Sequence, residues 1–150
     1  MPMYVNQTEI SDADVFQEMQ HHPATNREAA RDKAARALLI RELLRQEAIE
    51  KQMLTPNADD ETAEKAIEQL LEREVTVPEA TQEACRRYYD QNIERFSVSK
   101  DSKLPLPFET INSRIGDYLH TRSIRHGIQA YILDLASHHR VTGFDLAATL

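Results

Sequence analysis

The stretch TNREAARDKAARALLIRELLRQEAIEKQM, residues 25–53, decides the fold because it predicts one long, uninterrupted helix. Its residues are nearly all good helix formers, and it holds neither glycine nor proline. Thr25 and Glu28 have the spacing of a capping box, which predicts Thr25 as the N-cap. Alanines and leucines form a stripe along which other helices can pack. At 1.5 Å per residue this helix would be roughly 40 Å long, and we expect it to be the centre of an all-α fold.

Shorter helices are predicted on both sides of this central element. Ser11 precedes acidic residues and predicts the N-cap of a short helix that ends before Pro23. Apolar residues at helical spacing predict two further helices, over 59–74 and from about Thr81 onward. With the long last helix, these make about five.

The two ends of the chain have the pattern of short extended segments. MYVNQTEI (3–10) predicts an extended piece with a bend at Asn6-Gln7, and residues 140–146 predict a short strand or hook. We expect the two to pair as a small two-stranded patch that joins the termini.

The last predicted helix starts near Pro107, which suits a first-turn position, and runs to about His138. Its apolar residues form two groups, one on each half, roughly 140° apart around the helix axis. We expect the two halves to face different partners: Ile111, Ile115, Tyr118 and Leu119 on one side, and Ile124, Ile128, Tyr131, Ile132 and Leu135 on the other.

Composition excludes several function classes. The formal charge of −7 has the wrong sign for a nucleic-acid partner. The three glycines are not adjacent, so glycine-rich phosphate loops are absent and no cofactor is expected. No segment approaches the ~20 apolar residues of a membrane span. The N-terminus lacks the pattern of a secretory signal, which predicts a cytoplasmic protein without membrane attachment.

The segment RFSVSKDSKLPLPFE, residues 95–109, interrupts the helical pattern. It contains two prolines, two lysines and isolated aliphatic residues in a turn-like composition. Only eleven residues, 97–107, separate the predicted helices on its two sides.

The order of these pieces resembles the N-terminal region of parvulin-type peptidyl-prolyl isomerases, notably nitrogen-fixation accessory proteins of the NifM type and SurA-like chaperones. The resemblance extends over about nine tenths of the chain. The features that carry it are VNQTEIS (5–11), AARALLIRELLRQEA (34–48), the acidic turn near Asp59-Asp60, LLEREVTVPEATQEACRRYYDQNIERF (70–96) and PFETINSRIGDYLHTRSIRHGIQAYILDLASHHRVTGFDL (107–146). Of these, VPEAT…C…YYDQN…RF is the most specific.

The resemblance implies that a catalytic parvulin domain is missing. In such proteins that domain would lie between the elements that match Phe96 and Phe108, where the eleven residues here cannot supply its histidines, its proline pocket or its sheet. The implied organisation is a helical chaperone-like part (1–96), a linker in place of the parvulin domain (97–107), and a helix and hook (108–150) that pack on the same core.

The implied function is that of a non-catalytic chaperone-like or assembly protein, which binds a protein client through apolar helical surface. The candidate contact residues are Tyr88, Tyr89, Phe96, Leu104, Leu106 and Phe108. The alternative is that these side chains belong to the hydrophobic core and contact no client. A second hypothesis is a self-associating structural or regulatory protein, a homodimer in which the short linker hands the last helix to a second copy. A third hypothesis is that the protein is a peptidyl-prolyl isomerase in family name only, without the activity.

The remaining candidate residues are the histidine pairs, Cys85 and Arg122, and we expect structural roles for most of them. We interpret the pairs His21-His22 and His138-His139 as exposed or capping residues, with no metal site. Cys85 lies on the stripe of Tyr88 and Tyr89, which favours a buried structural thiol. Arg122 falls within the first stripe of the last helix, so we expect it to be partly buried and paired with a carboxylate or to contact a client.

Overall fold

The computed structural model describes residues 2–98 and 104–150, which form a mostly helical protein with one small sheet. Its five α-helices in these ranges are α1 (Asp12–Glu18), α2 (Arg27–Glu50), α3 (Asp60–Glu74), α4 (Gln82–Gln91) and α5 (Phe108–His138). Short 3₁₀ helices follow α1 and α4, at Met19–His21 and Ile93–Phe96. The strands are β1 (Met3–Val5), β2 (Thr8–Ile10) and β3 (Val141–Thr142). The expectation of about five helices is confirmed.

The sheet joins the two termini, as predicted, but it has three strands rather than two. The order is β2-β1-β3, and both pairings are antiparallel. Asn6 turns β1 into β2 with a φ of 55°, a left-handed conformation that asparagine tolerates well. Gly143 follows β3 with a φ of 87°, and a Cβ there would lie 2.6 Å from the carbonyl oxygen of Pro2. Only glycine fits that position without a shift of the backbone.

Side-chain caps set the starts of the helices. Ser11 caps α1 and forms a capping box with Asp14, which confirms the predicted start. The predicted cap of α2 is wrong by one residue, because Asn26 rather than Thr25 accepts a hydrogen bond, 2.7 Å long, from the amide of Ala29. Asparagine is at least as good an N-cap as threonine, so it takes the position. Thr81 caps α4, which confirms that a helix begins near this residue.

The described residues gather into two compact units. The first unit contains the chain up to Glu74 together with Ile128–Leu150, and the second unit is Val75–Gly127. The core of the first unit surrounds α2, with Val5, Leu39, Leu43 and Leu70 fully buried. The core of the second unit is smaller and contains Cys85, Tyr89, Ile111, Ile115 and Leu119.

Helix α5 contributes to both cores through its two halves. Its first half provides Ile111, Ile115 and Leu119 to the second unit, and its second half provides Ile132 and Leu135 to the first unit. This confirms that the two apolar groups on the helix face different partners. Each core thus combines residues from before and after positions 97–107. The organisation into parts 1–96, 97–107 and 108–150 stays a prediction.

Candidate functional site

The two arms of the segment that interrupts the helical pattern pair with each other in the second unit. The amide of Leu106 donates to the carbonyl of Phe96 at 2.6 Å, and the amide of Val98 donates to the carbonyl of Leu104 at 3.2 Å. Between these bonds, Ser97 faces Pro105 in an antiparallel bridge. The Ser97–Pro105 pair itself exchanges no backbone hydrogen bond, so the missing N–H of proline costs the bridge nothing. We call residues 96–98 and 104–106 the hairpin; residues 99–103 lie outside the described residues.

One face of the hairpin is apolar and only half covered. Side chains alternate along a strand, so the pairs Phe96–Leu106 and Val98–Leu104 share a face. Phe96 and Leu106 pack against the core of the second unit. Val98 and Leu104, however, are 62% and 73% exposed. The hairpin therefore presents an aliphatic pair to solvent.

Aromatic rings form a continuous cluster beneath the hairpin. The Phe96 ring stacks on that of Tyr89 at 5.3 Å between centroids and meets that of Tyr88 edge-on at 6.2 Å. Phe108 contacts Tyr89 at 5.5 Å, and Tyr118 contacts Tyr88 at 5.4 Å. Contacts of this kind add about 0.5–1.5 kcal/mol each beyond area burial. Through Phe96 the hairpin thus packs on the aromatic rings of α4.

Arginine side chains lie over the same rings. The guanidinium of Arg86 lies 5.1 Å from the ring centroid of Phe108 and 5.6 Å from that of Tyr89. The guanidinium of Arg122 lies 5.9 Å and 5.8 Å from the rings of Tyr88 and Tyr118. The expectation of a partly buried Arg122 is wrong: the residue is exposed and rests on two ring faces, an arrangement that cation–π attraction favours.

These cations change the electrostatics of the second unit. The pKa of Tyr118 is lowered, first by a hydrogen bond with Tyr88 and further by the nearby Arg122. Arg95 donates a hydrogen bond to the Tyr88 hydroxyl at 3.2 Å. In sequence, Val75–Gly127 carries eight lysines and arginines against seven acids, whereas the rest of the chain carries ten against eighteen. The negative charge of the protein therefore belongs to the first unit.

All six predicted contact residues lie in the second unit, at different depths. Leu104 is exposed; Tyr88, Phe96, Leu106 and Phe108 are half-buried; and Tyr89 is buried. Sequence reasoning missed Ile93, Val98 and Tyr118, three further exposed apolar side chains of the same unit. Val98 becomes a candidate because it lies opposite Leu104. The sequence gives no sign of this, since it depends on the pairing of the two arms.

The histidines and the cysteine agree with the simple interpretation in part. Cys85 is 2% exposed, which confirms a buried thiol. His21 and His138 are exposed, and His22 lies 3.1 Å from Glu18. His139, however, is not an exposed residue: its side chain packs in the first unit beside Asn6 and Glu47.

None of the helices in the described ranges combines the length and the apolar character that a membrane span needs. Comparison with known proteins finds no matching family model, no matching curated protein and no matching solved structure. The resemblance to parvulin-type isomerases stays a prediction.

Proposed function

We propose that the protein is a non-catalytic chaperone-like or assembly protein, and that the hairpin face with Val98 and Leu104 binds apolar segments of a protein client. The observation that carries this proposal is the exposure of that aliphatic pair directly beside a well-packed aromatic cluster. Of the six large hydrophobic side chains exposed in the described residues, four belong to the second unit. Exposed apolar groups concentrated in this way are typical of interaction surfaces.

The physical basis of binding would be the removal of apolar surface from water. Full burial of one aliphatic side chain contributes about 1.5–3 kcal/mol. Two such side chains, less the cost of ordering a client segment, give weak and reversible binding. Reversible binding suits a protein that releases its client unchanged. The guanidinium groups of Arg86, Arg95 and Arg122 lie around the aromatic cluster and add hydrogen-bond donors for carbonyl or acidic groups of the client.

The evolutionary part of the proposal is a relationship to parvulin-type isomerases and SurA-like chaperones that lack the catalytic domain. Its support is the short interval 97–107 between elements that resemble those flanking a parvulin domain. The described arms of this interval pair directly with each other. We place the protein in the cytoplasm, with no nucleic-acid partner and no cofactor.

An aggregation assay tests the proposal. A reduced, unfolding model client is followed by light scattering with and without the protein. We expect the protein to delay scattering and the double variant Val98→Thr, Leu104→Gln to lose most of this effect. The matched control is Phe16→Gln, which removes a 64% exposed aromatic side chain of the first unit and leaves the net charge unchanged. Circular dichroism and thermal unfolding verify that each variant is folded.

The proposal fails if the double variant protects the client as well as the unchanged protein does. It also fails if Phe16→Gln removes protection to the same extent, since protection would then come from general surface hydrophobicity.

A second candidate function is self-association, because an exposed aliphatic pair can also bind a second copy of the chain. The short connection at 97–107 further favours exchange of α5 between two copies. Analytical ultracentrifugation separates the two routes. Val98→Thr, Leu104→Gln dissociates a dimer that uses the hairpin face, whereas an insertion of flexible residues after Lys100 dissociates an exchanged dimer. A monomer at every concentration removes this candidate.

A further inference from the structure

A polar cleft of about 360 Å³ lies in the first unit, between the end of α2 and the end of α5. Four carboxylates line it, those of Glu47, Glu50, Glu74 and Asp134. The other polar groups of the lining are Lys51, Tyr131 and the histidine pair His138-His139 at the end of α5. Nothing in the proposed client binding uses this cleft.

Three of these side chains converge. The ligand atoms of Glu47, Glu50 and His139 all lie within 4.8 Å of one another. The His139 Nε2 atom is 3.6 Å from Glu47 Oε2, a distance too long for a hydrogen bond. Two ligands of a tetrahedral ion with bonds of about 2.1 Å are separated by about 3.4 Å. The 3.6 Å separation of this pair is close to the spacing of two ligands of one ion.

We propose that Glu47, Glu50 and His139 bind a divalent transition-metal ion with the ligand preference of Zn²⁺. Imidazole together with carboxylate oxygen is a ligand set that suits this ion. Glu47 and Glu50 are three residues apart on α2 and thus share one helix face. Glu50 is exposed, so its side chain is free to rotate the remaining distance toward the ion.

Burial and charge favour a cation at this position. The side chains of Glu47 and His139 are each only 13% exposed, which strengthens their interaction with an ion. Lys51 lies 3.7 Å from Glu47 Oε1 and 3.4 Å from Glu74 Oε1, so it neutralises the oxygen of Glu47 that faces away from His139. Glu47 Oε2 remains for the metal. The Arg73 guanidinium also lies 3.7 Å from Glu74 Oε1, so two cations stand against the four carboxylates and the cleft keeps a negative balance.

Tyr131 gives independent support. Its hydroxyl oxygen is buried in the same cleft and has no hydrogen-bond partner in the described part of the chain. The hydroxyl is thus an unfilled hydrogen-bonding position in the wall of the cleft. Burial raises the pKa of Tyr131 to about 12, and the carboxylates of Glu47, Glu74 and Asp134 add to this shift. The negative potential that disfavours the phenolate would stabilise a bound cation.

A neighbouring amide controls the availability of His139. Asn6 Oδ1 accepts from the Arg140 amide at 3.0 Å, and Asn6 Nδ2 donates to Gln46 Oε1 at 2.7 Å. This orientation directs Asn6 Nδ2 at His139 Nδ1, 3.0 Å away. The neutral imidazole then carries its proton on Nε2. Metal binding through Nε2 requires the ring proton to move to Nδ1, where it would face the Asn6 N–H group. A hydrogen-bond acceptor at position 6 would stabilise the proton there and thus favour metal binding.

Calorimetric titration of the metal-free protein with Zn²⁺ tests the site, and Mg²⁺ serves as the comparison ion. We expect Zn²⁺ to bind with a stoichiometry of one, and both Glu50→Gln and His139→Ala to weaken binding at least about 10-fold. The matched controls are Glu72→Gln, an exposed acid of α3, and His21→Ala, an exposed histidine outside the cleft. Both controls should bind as the unchanged protein does. Circular dichroism checks the fold of every variant.

A gain-of-affinity variant sharpens the test. Asn6→Asp offers a carboxylate acceptor to His139 Nδ1, and aspartate also tolerates the positive φ of this position. We expect Zn²⁺ binding to tighten about 10-fold, which a purely structural role of Asn6 would not produce. The proposal is overturned if Zn²⁺ does not bind, if Glu50→Gln binds it unchanged, if His21→Ala abolishes binding, or if Asn6→Asp weakens it.

Discussion

The Tyr89 hydroxyl donates a hydrogen bond to the main-chain carbonyl of Leu106, with 2.6 Å between the two oxygens. Tyr89 lies on α4, and Leu106 belongs to the second arm of the hairpin. The ring of Tyr89 also stacks on Phe96 in the first arm. One buried side chain thus fixes both arms, and it thereby holds the exposed Val98–Leu104 pair in place.

The first prediction concerns this anchor. Tyr89→Phe keeps the stacked ring but leaves the Leu106 carbonyl without its partner. We expect a loss of about 1 kcal/mol in the free energy of unfolding, the usual contribution of one such bond. Urea unfolding measures the loss. Tyr4→Phe, a tyrosine of the first unit that is more than one-third exposed, is the matched control and should leave the midpoint unchanged.

The second prediction concerns the two glycines of α5 in the second unit. A Cβ at Gly127 would lie 2.8 Å from Val75 Cγ1, so Gly127→Ala overpacks this contact and should cost about 1–3 kcal/mol. At Gly116 the nearest atom would be Cys85 Sγ at 3.6 Å, an ordinary contact. Gly116→Ala should therefore stabilise the helix by up to about 1 kcal/mol.

Thermal unfolding of the two alanine variants should shift in opposite directions. The double variant Gly127→Ala, Val75→Ala removes the clashing methyl groups and should recover part of the loss. Equal shifts for both single variants would contradict the contact between Gly127 and Val75.

The third prediction concerns the buried phenol of Tyr131. Tyr131→Phe removes a hydroxyl that has no partner in the described residues, so we expect a gain of about 1 kcal/mol at neutral pH without divalent metal. The measurement is guanidinium unfolding in the presence of a chelator. A clear loss of stability would contradict the unpartnered state of the hydroxyl.

The same variant tests the pH dependence. The pKa of Tyr131 is about 12 in the folded protein against an ordinary value of 10. Above pH 10 the unfolded chain loses this proton while the folded chain keeps it. Ionisation of Tyr131 therefore leaves the free energy of unfolding unchanged below pH 10 and lowers it as the pH rises toward 12. Unfolding measured from pH 9 to 12 should show a smaller decline for Tyr131→Phe than for the unchanged protein.

The fourth prediction concerns catalysis. Because we propose that the parvulin domain is missing, the protein should not accelerate cis–trans isomerisation of a proline-containing peptide. The measurement is the relaxation rate of the peptide at increasing protein concentration, with a known isomerase as the positive control. A rate that grows in proportion to the protein would end the proposal of a non-catalytic protein.

Local patterns predicted much of the fold. Ser11 and Thr81 cap their helices because a hydroxyl before a helical run satisfies free amides, whatever the rest of the protein does. The pairing of β1 with β3 was also predictable, since both termini offered one short extended segment. The two apolar groups on α5 predicted two packing environments, which the two cores provide.

Contacts between distant residues set the limit of prediction. His139 and Glu47 lie 92 positions apart, and no local pattern placed an imidazole against α2. The exposure of Val98 depends on the pairing of the two arms, which turn-like composition does not specify. At α2 two adjacent residues could both cap, and their small difference in preference favoured Asn26 over Thr25.

Site-specific crosslinking tests the central claim most directly. A photoreactive phenylalanine analogue is placed at position 104, on the hairpin face, or at position 16, the exposed aromatic of the first unit. Each protein is then irradiated with an unfolded apolar client. We predict client crosslinks from position 104 that free client competes away, and few from position 16. Equal crosslinking from both positions, or none from position 104, would contradict client binding at the Val98–Leu104 face.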